Sequence, residues 1–107
     1  MNIQIKKGVI ELCVFAILSN KDCYGYELAE TISRHIEISE GTIYPLLRRL
    51  TKEGYFTTYL RESSEGPPRK YYKITELGVE YKKSLLKDWN ELTKGVNELI
   101  EGCEKDE

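Results

Sequence analysis

The stretch from Ser39 to Thr75, SEGTIYPLLRRLTKEGYFTTYLRESSEGPPRKYYKIT, constrains this chain more than any other. Ile43, Leu46, Leu47 and Leu50 fall at i, i+3, i+4 and i+7, one apolar stripe of a helix. Gly54 follows as a helix stop, because glycine tolerates the left-handed backbone that ends a helix. From Tyr55 to Glu62, Phe56, Thr58 and Leu60 alternate with Thr57, Tyr59 and Arg61, the period of a half-buried strand. A second strand is expected over Arg69 to Ile74. Ser63 to Pro68 forms the tip between them, where Gly66 gives backbone freedom and Pro67-Pro68 stiffens the return. Thr75 before Glu76 caps a further helix. Helix, glycine, strand, basic turn, strand, helix is the order of the second half of a winged helix-turn-helix. That module seats a helix in the major groove of DNA and lays a β-ribbon on the neighbouring backbone.

The rest of the chain supplies the remaining helices. Residues 4–19 predict a first helix that is apolar almost all round, from Val9 through Leu18. A helix without a polar face is buried on more than one side, here against its own domain and a partner subunit. Tyr24 to Arg34 predicts an amphipathic second helix. Ser39 is a favoured N-cap for the third. A helix starting there holds Pro45 in its second turn, at a cost of about 3 kcal/mol; a start after Thr42 would make Pro45 harmless. The earlier start with a local distortion is expected. The last helix is expected to run from Thr75 to Ile100 or Glu101 and stop at Gly102. Leu85, Trp89, Leu92, Val96 and Leu99 mark a heptad seam along it. A helix of that length reaches roughly 40 Å, more than a small head can cover, so the seam calls for a second chain. The expected fold is therefore mainly α with a two-stranded β-wing. Residues 1–74 would form the winged helix-turn-helix, and residues 75–107 the dimerisation helix and tail.

Charge is distributed, not uniform. The net charge is −2, a weak argument against a nucleic-acid partner. Residues 39–74, however, hold seven Lys or Arg against four Asp or Glu, and residues 75–107 hold five against nine. A phosphate senses only nearby charge, since screening acts beyond roughly 8 Å at physiological salt. A basic face with an acidic tail elsewhere suits a DNA binder.

Base-edge contacts read sequence and phosphate contacts supply affinity. On the third helix, Thr42 can hydrogen-bond or offer its methyl to thymine. Tyr44 can reach a phosphate or a base edge, and Pro45 can press on a thymine methyl. Arg48 and Arg49 can neutralise phosphates. Two arginines on a solvent-facing helix are common in any protein; their place on the predicted recognition helix singles them out. On the wing, Arg69 and Lys70 follow two prolines and are preorganised cations. Tyr24 and Ser39, at the starts of the second and third helices, complete the candidate DNA-binding set. Tyr71 and Tyr72 alternate faces, so at least one belongs to the hairpin core.

Other chemistry has little footing. His35 is the only histidine and has no placed acid or thiol partner. There is no phosphate-cradling glycine loop and no nucleophile elbow, so no enzyme is read and no cofactor is expected. Cys23 and His35 lack a second ligand at short spacing, so no metal site is read. Cys13, Cys23 and Cys103 are an odd number without paired spacing and suit reduced thiols in a bacterial cytoplasm. No apolar run is long enough for a membrane span, and no signal peptide is visible.

YGYEL at Tyr24 to Leu28, EGTIYPLLRRLTKEG at Glu40 to Gly54 and GPPRKYYKITELG at Gly66 to Gly78 resemble the PadR family of bacterial transcriptional regulators, its short subfamily in particular. With the opening KGVIELCVFAIL the resemblance spans nearly the whole chain. It implies a homodimer whose long C-terminal helix packs on the partner. It further implies repression from a near-palindromic double-stranded operator, relieved by a small aromatic or drug-like compound. In some members a tryptophan at the position of Trp89 flanks a flat pore at the dimer interface. Side chains matching Leu12 and Ala16 also line it. Leu85, one turn before Trp89, is bulky and would narrow such a pore. Two alternatives accompany this reading: a winged-helix module for protein contacts, and a DNA-binding regulator with no small-molecule effector.

Overall fold

The computed structural model describes the backbone of residues 3–106 and the side chains of residues 8–39 and 41–103. Four helices and three short strands follow one another as α1 (Ile3–Asn20), β1 (Cys23–Tyr24), α2 (Gly25–Ser33), α3 (Glu40–Lys52), β2 (Phe56–Ser63), β3 (Gly66–Ile74) and α4 (Glu76–Asp106). The strands form one antiparallel sheet in the order β1-β3-β2.

The core grows from the predicted stripes. Ile43, Leu47 and Leu50 of α3 are fully buried against Ile10, Val14, Phe15 and Leu18 of α1 and Leu28 and Ile32 of α2. Phe56 and Tyr72 close it from the sheet. Phe15 lies at its centre, its ring 4.8 Å from Phe56 and 5.3 Å from Tyr81. Tyr81 in turn stacks on Tyr55 at 4.3 Å, which fastens the start of α4 to the head.

The sheet differs from expectation in two ways. It has three strands, not two: Cys23 and Tyr24 pair with Tyr72 and Tyr71 before α2 begins at Gly25. Two residues are too few to show a period-2 pattern, so this strand leaves no sequence signal. The turn is also tighter than Ser63 to Pro68. β3 begins at Gly66, and only Ser64 and Glu65 lie between the strands. Pro67 and Pro68 are tolerated because a register shift falls between the Arg61–Arg69 and Ser63–Gly66 pairs. β1 pairs only with Tyr71 and Tyr72, so the prolines also lie on an open edge.

α3 takes the early start, with Pro45 inside the helix. The carbonyl that Pro45 leaves unpaired belongs to Gly41, which is exposed and open to water. Ser39 occupies the N-cap position, but its Oγ meets Thr42 Oγ1 at 3.2 Å instead of capping a backbone N–H. Gly54 has φ +92°, the left-handed stop the sequence implied. Thr75 caps α4 as expected: the Gly78 N–H donates to its Oγ1 at 3.0 Å, and that hydroxyl donates to the Gly54 carbonyl at 2.7 Å.

α4 does not stop at Gly102; it continues to Asp106. A glycine costs a helix about 1 kcal/mol and does not end it alone. The 31 residues extend about 46 Å, and the molecule measures 60 × 27 × 20 Å. The radius of gyration is 16.5 Å, against about 13 Å for a compact chain of this length. Much of the last helix therefore projects beyond the head.

Candidate nucleic-acid interface

A helix turns about 100° per residue, so α3 presents two flanks either side of an outermost line through Gly41, Pro45 and Lys52. Tyr44 and Arg48 lie on the flank beside β1 and α2. Thr42 and Arg49 lie on the flank beside α1.

On the first flank the helix and the wing meet. Tyr24, Tyr44, Arg48, Arg69 and Lys70 line a single concavity with Gly25, Tyr26 and Tyr72. Gly25 makes this possible: a Cβ there would come within 2.6 Å of Tyr44 Cε1, so the ring lies directly against the start of α2. The wing cations are held over rings. The Arg69 guanidinium lies 4.6 Å from the Tyr24 centroid, and Lys70 Nζ 5.7 Å from that of Tyr72. Such contacts contribute roughly 0.5–1 kcal/mol at exposed sites. None of the ion pairs among the described residues involves Arg48, Arg69 or Lys70. Their positive charge is therefore available to an anion.

On the second flank, Thr42, Pro45 and Arg49 line a hollow with Glu11 and Gly41. Here the charge is spoken for. Arg49 Nη2 donates to Glu11 Oε2 at 3.2 Å, and Nη1 to both carboxylate oxygens of Glu53 at 3.3 Å. The other oxygen of Glu11 accepts from Tyr81 Oη at 2.9 Å. Burial, followed by that hydrogen bond, pushes the Tyr81 phenol up to about 12. One carboxylate of α1 thus ties the recognition-helix candidate to α4. The structure places Arg49 apart from the other three cations.

Beyond the head, Trp89, Leu92, Val96 and Leu99 leave 38%, 63%, 45% and 71% of their surface exposed. Leu85, expected on the same seam, is half-buried against the chain's own core. Of the pore candidates, Leu12 is half-buried and Ala16 exposed on α1. Ala16 borders an apolar hollow with Cys13, Ile17, Ile32, His35 and Ile36 that includes neither Leu12 nor Trp89.

Sequence reasoning missed Gly25 and Glu11. A glycine at the first position of a predicted helix, and the one carboxylate in the apolar run from Val9 to Leu18, were the signals available.

A winged helix-turn-helix with a basic concavity between its third helix and its wing defines a DNA-binding transcriptional regulator. The chain belongs to the transcriptional regulator PadR-like family, whose sequence profile matches residues 14–84. It is similar to a crystallised PadR-like transcriptional regulator from Bacillus cereus: 42% identity, TM-score 0.83, covering 91% of this chain and 96% of that one. A protein from Streptococcus mutans superposes with TM-score 0.84 at 38% identity, over 90% of each chain. The transcriptional regulator Rv3488 of Mycobacterium tuberculosis is 26% identical over 92% of this chain and 90% of its own length. No enzymatic role attaches to this family, and no helix among the described residues is long and apolar enough to cross a membrane.

Proposed function

We propose that the protein acts as a homodimeric repressor that occupies a near-palindromic operator and is released by a flat aromatic effector. The observation that carries the DNA geometry is the convergence of Tyr44 and Arg48 of α3 with Arg69 and Lys70 of the wing on one concavity. The helix residues read base edges in the major groove, Thr42 and Pro45 with them. The wing cations, with Tyr24 beside Arg69 and Ser39 at the start of α3, hold the backbone. Arg49 contributes less, because two carboxylates already neutralise it. Neutralising Arg48, Arg69 and Lys70 together tests the reading, with Arg49 left in place because it holds Glu11 and Glu53. Loss of duplex binding with an unchanged thermal melt supports it; retained binding overturns it.

The dimer follows from Trp89, Leu92, Val96 and Leu99, apolar residues on a helix that outreaches its own domain. Two-fold symmetry brings the two copies of α4 together and the two copies of Trp89 near one another. An indole face is a stacking surface for a planar compound, with Leu12 and Ala16 bordering it. Such a compound releases the operator only by preferring one angle between the heads over another. A regulator with no effector is the competing reading, favoured by the bulk of Leu85 one turn away. The membrane-free, reduced cytoplasm is the compartment that suits Cys13, Cys23 and Cys103, none of which pairs within the chain.

A further inference from the structure

Arg61 and Arg69 are direct cross-strand partners, and both side chains stand on the outer face of the sheet, the face of Tyr24, Tyr59 and Tyr71. Like charges directly opposite one another destabilise a strand pair. Neither arginine has a carboxylate partner among the described residues. Each is instead laid over a ring: Arg69 over Tyr24 at 4.6 Å, and Arg61 over Tyr71 at 5.3 Å. The two rings meet edge-on at 5.4 Å, and Tyr59 stacks on Tyr71 at 5.6 Å. Tyr59 is anchored in turn, its hydroxyl donating to Asp22 Oδ2 at 2.6 Å. The result is a stiff aromatic shelf carrying two unneutralised guanidinium groups side by side. The register shift begins immediately beyond them, so the pair sits where the ribbon bends towards its tip.

We propose that Arg61 and Arg69 together form a two-guanidinium site for one phosphodiester of the bound DNA, with Tyr24 and Tyr71 as positioning residues. The proposal rests on the DNA-binding reading above and adds Arg61 to it. Guanidinium forks match phosphate oxygens, and two of them on one anion relieve the repulsion that each imposes on the other. A preorganised pair also loses little side-chain freedom on binding. Arg61 is exposed and outside the core, so its substitution leaves the fold intact.

The test uses the full chain and a random-sequence 30-base-pair duplex, followed by fluorescence anisotropy across a salt series. Arg61→Gln with Arg69→Gln should lower the salt slope of log affinity by about 0.9 for the one phosphate lost per subunit, so by about 2 for a dimer, whereas Arg61→Gln alone, which leaves Arg69 on that phosphate, should weaken binding to every sequence with a smaller change of slope. Arg61→Lys should keep the slope but bind more weakly than wild type. Tyr71→Leu should weaken binding while leaving the slope between those of wild type and Arg61→Gln. If Arg61→Gln binds with wild-type slope and affinity while Lys70→Gln does not, the paired site is wrong and the DNA-binding reading stands. If wild type itself shows no salt-dependent duplex binding, both fail.

Discussion

Gly25 and Tyr44 occupy space that only a residue without a side chain permits: a Cβ on Gly25 would lie 2.6 Å from Tyr44 Cε1. The first turn of α2 is therefore the floor under a residue of α3. The orientation of Tyr44 is set by a neighbour nineteen positions earlier, not by its own helix.

Gly25→Ala should push the Tyr44 ring outward and destabilise the fold by about 1–3 kcal/mol, the usual range for overpacking. In a Tyr44→Ala background the same substitution should cost much less. A denaturant-unfolding double-mutant cycle measures the difference. Equal costs in the two backgrounds would show that the methyl is accommodated without touching Tyr44.

Operator selectivity should depend on Thr42 and Tyr44, and overall affinity on Arg69 and Lys70. Losing a base contact should cost about 1–3 kcal/mol at particular base pairs, whereas losing a wing cation should weaken every sequence alike. If a dimer neutralises about six phosphates, affinity should fall about a thousandfold between 50 and 200 mM salt. Competition against scrambled DNA separates the roles; a change of specificity in Arg69→Ala but not in Tyr44→Phe would reverse them.

Removing the chain from Asp88 onward should leave aggregated or unfolded protein, because the proposed dimer loses its seam and the partner no longer covers the apolar face of α1. Light scattering and circular dichroism read the outcome. A truncated form that is a soluble, stable monomer would remove the basis for the dimer.

The Tyr81–Glu11 contact makes a signed pH prediction. The phenol is raised from 10.0 to about 12, so the neutral form is the one the fold favours. Its contribution is complete below pH 10 and is lost as pH rises towards 12, where the unfolded chain ionises first. Tyr81→Phe should flatten the stability profile in that window. An unchanged alkaline slope in the mutant would assign the loss to other tyrosines.

Planar dyes and drugs titrated into the protein should quench Trp89 at micromolar concentration, and a tenfold loss of operator affinity corresponds to about 1.4 kcal/mol of coupling. Trp89 is the only tryptophan, so Trp89→Ala is read through operator release, which the same compounds should no longer cause. Absence of any saturable response, in protein that still binds its operator, leaves Trp89 as a packing residue alone.

What the sequence disclosed was what depends on period. The stripe of Ile43, Leu46, Leu47 and Leu50 and the alternation of Phe56 to Arg61 were legible because regular spacing maps onto one face. The stop at Gly54 and the helix cap at Thr75 were legible because their chemistry is local. Three features were not. β1 is two residues long and exists only because β3 is there to pair with it. Gly102 read as a stop, although the helix has no neighbour there to make a glycine terminate it. Arg48 and Arg49 looked equivalent on paper, but one turns to the wing and the other to Glu11, which lies 38 residues earlier. Long-range partners of single side chains leave no periodic mark.

Several contacts in the head join elements that could otherwise hinge. Tyr59 holds the wing to the corner after α1, Glu11 holds α3 and α4 to α1, and Tyr55 holds α4 to the end of α3. The wing, α3 and the start of α4 are thereby tied to one head. In a two-fold assembly such heads behave like the jaws of a caliper. The quantity an effector could alter is the gap between them, and the operator would report it as a preference for one half-site spacing.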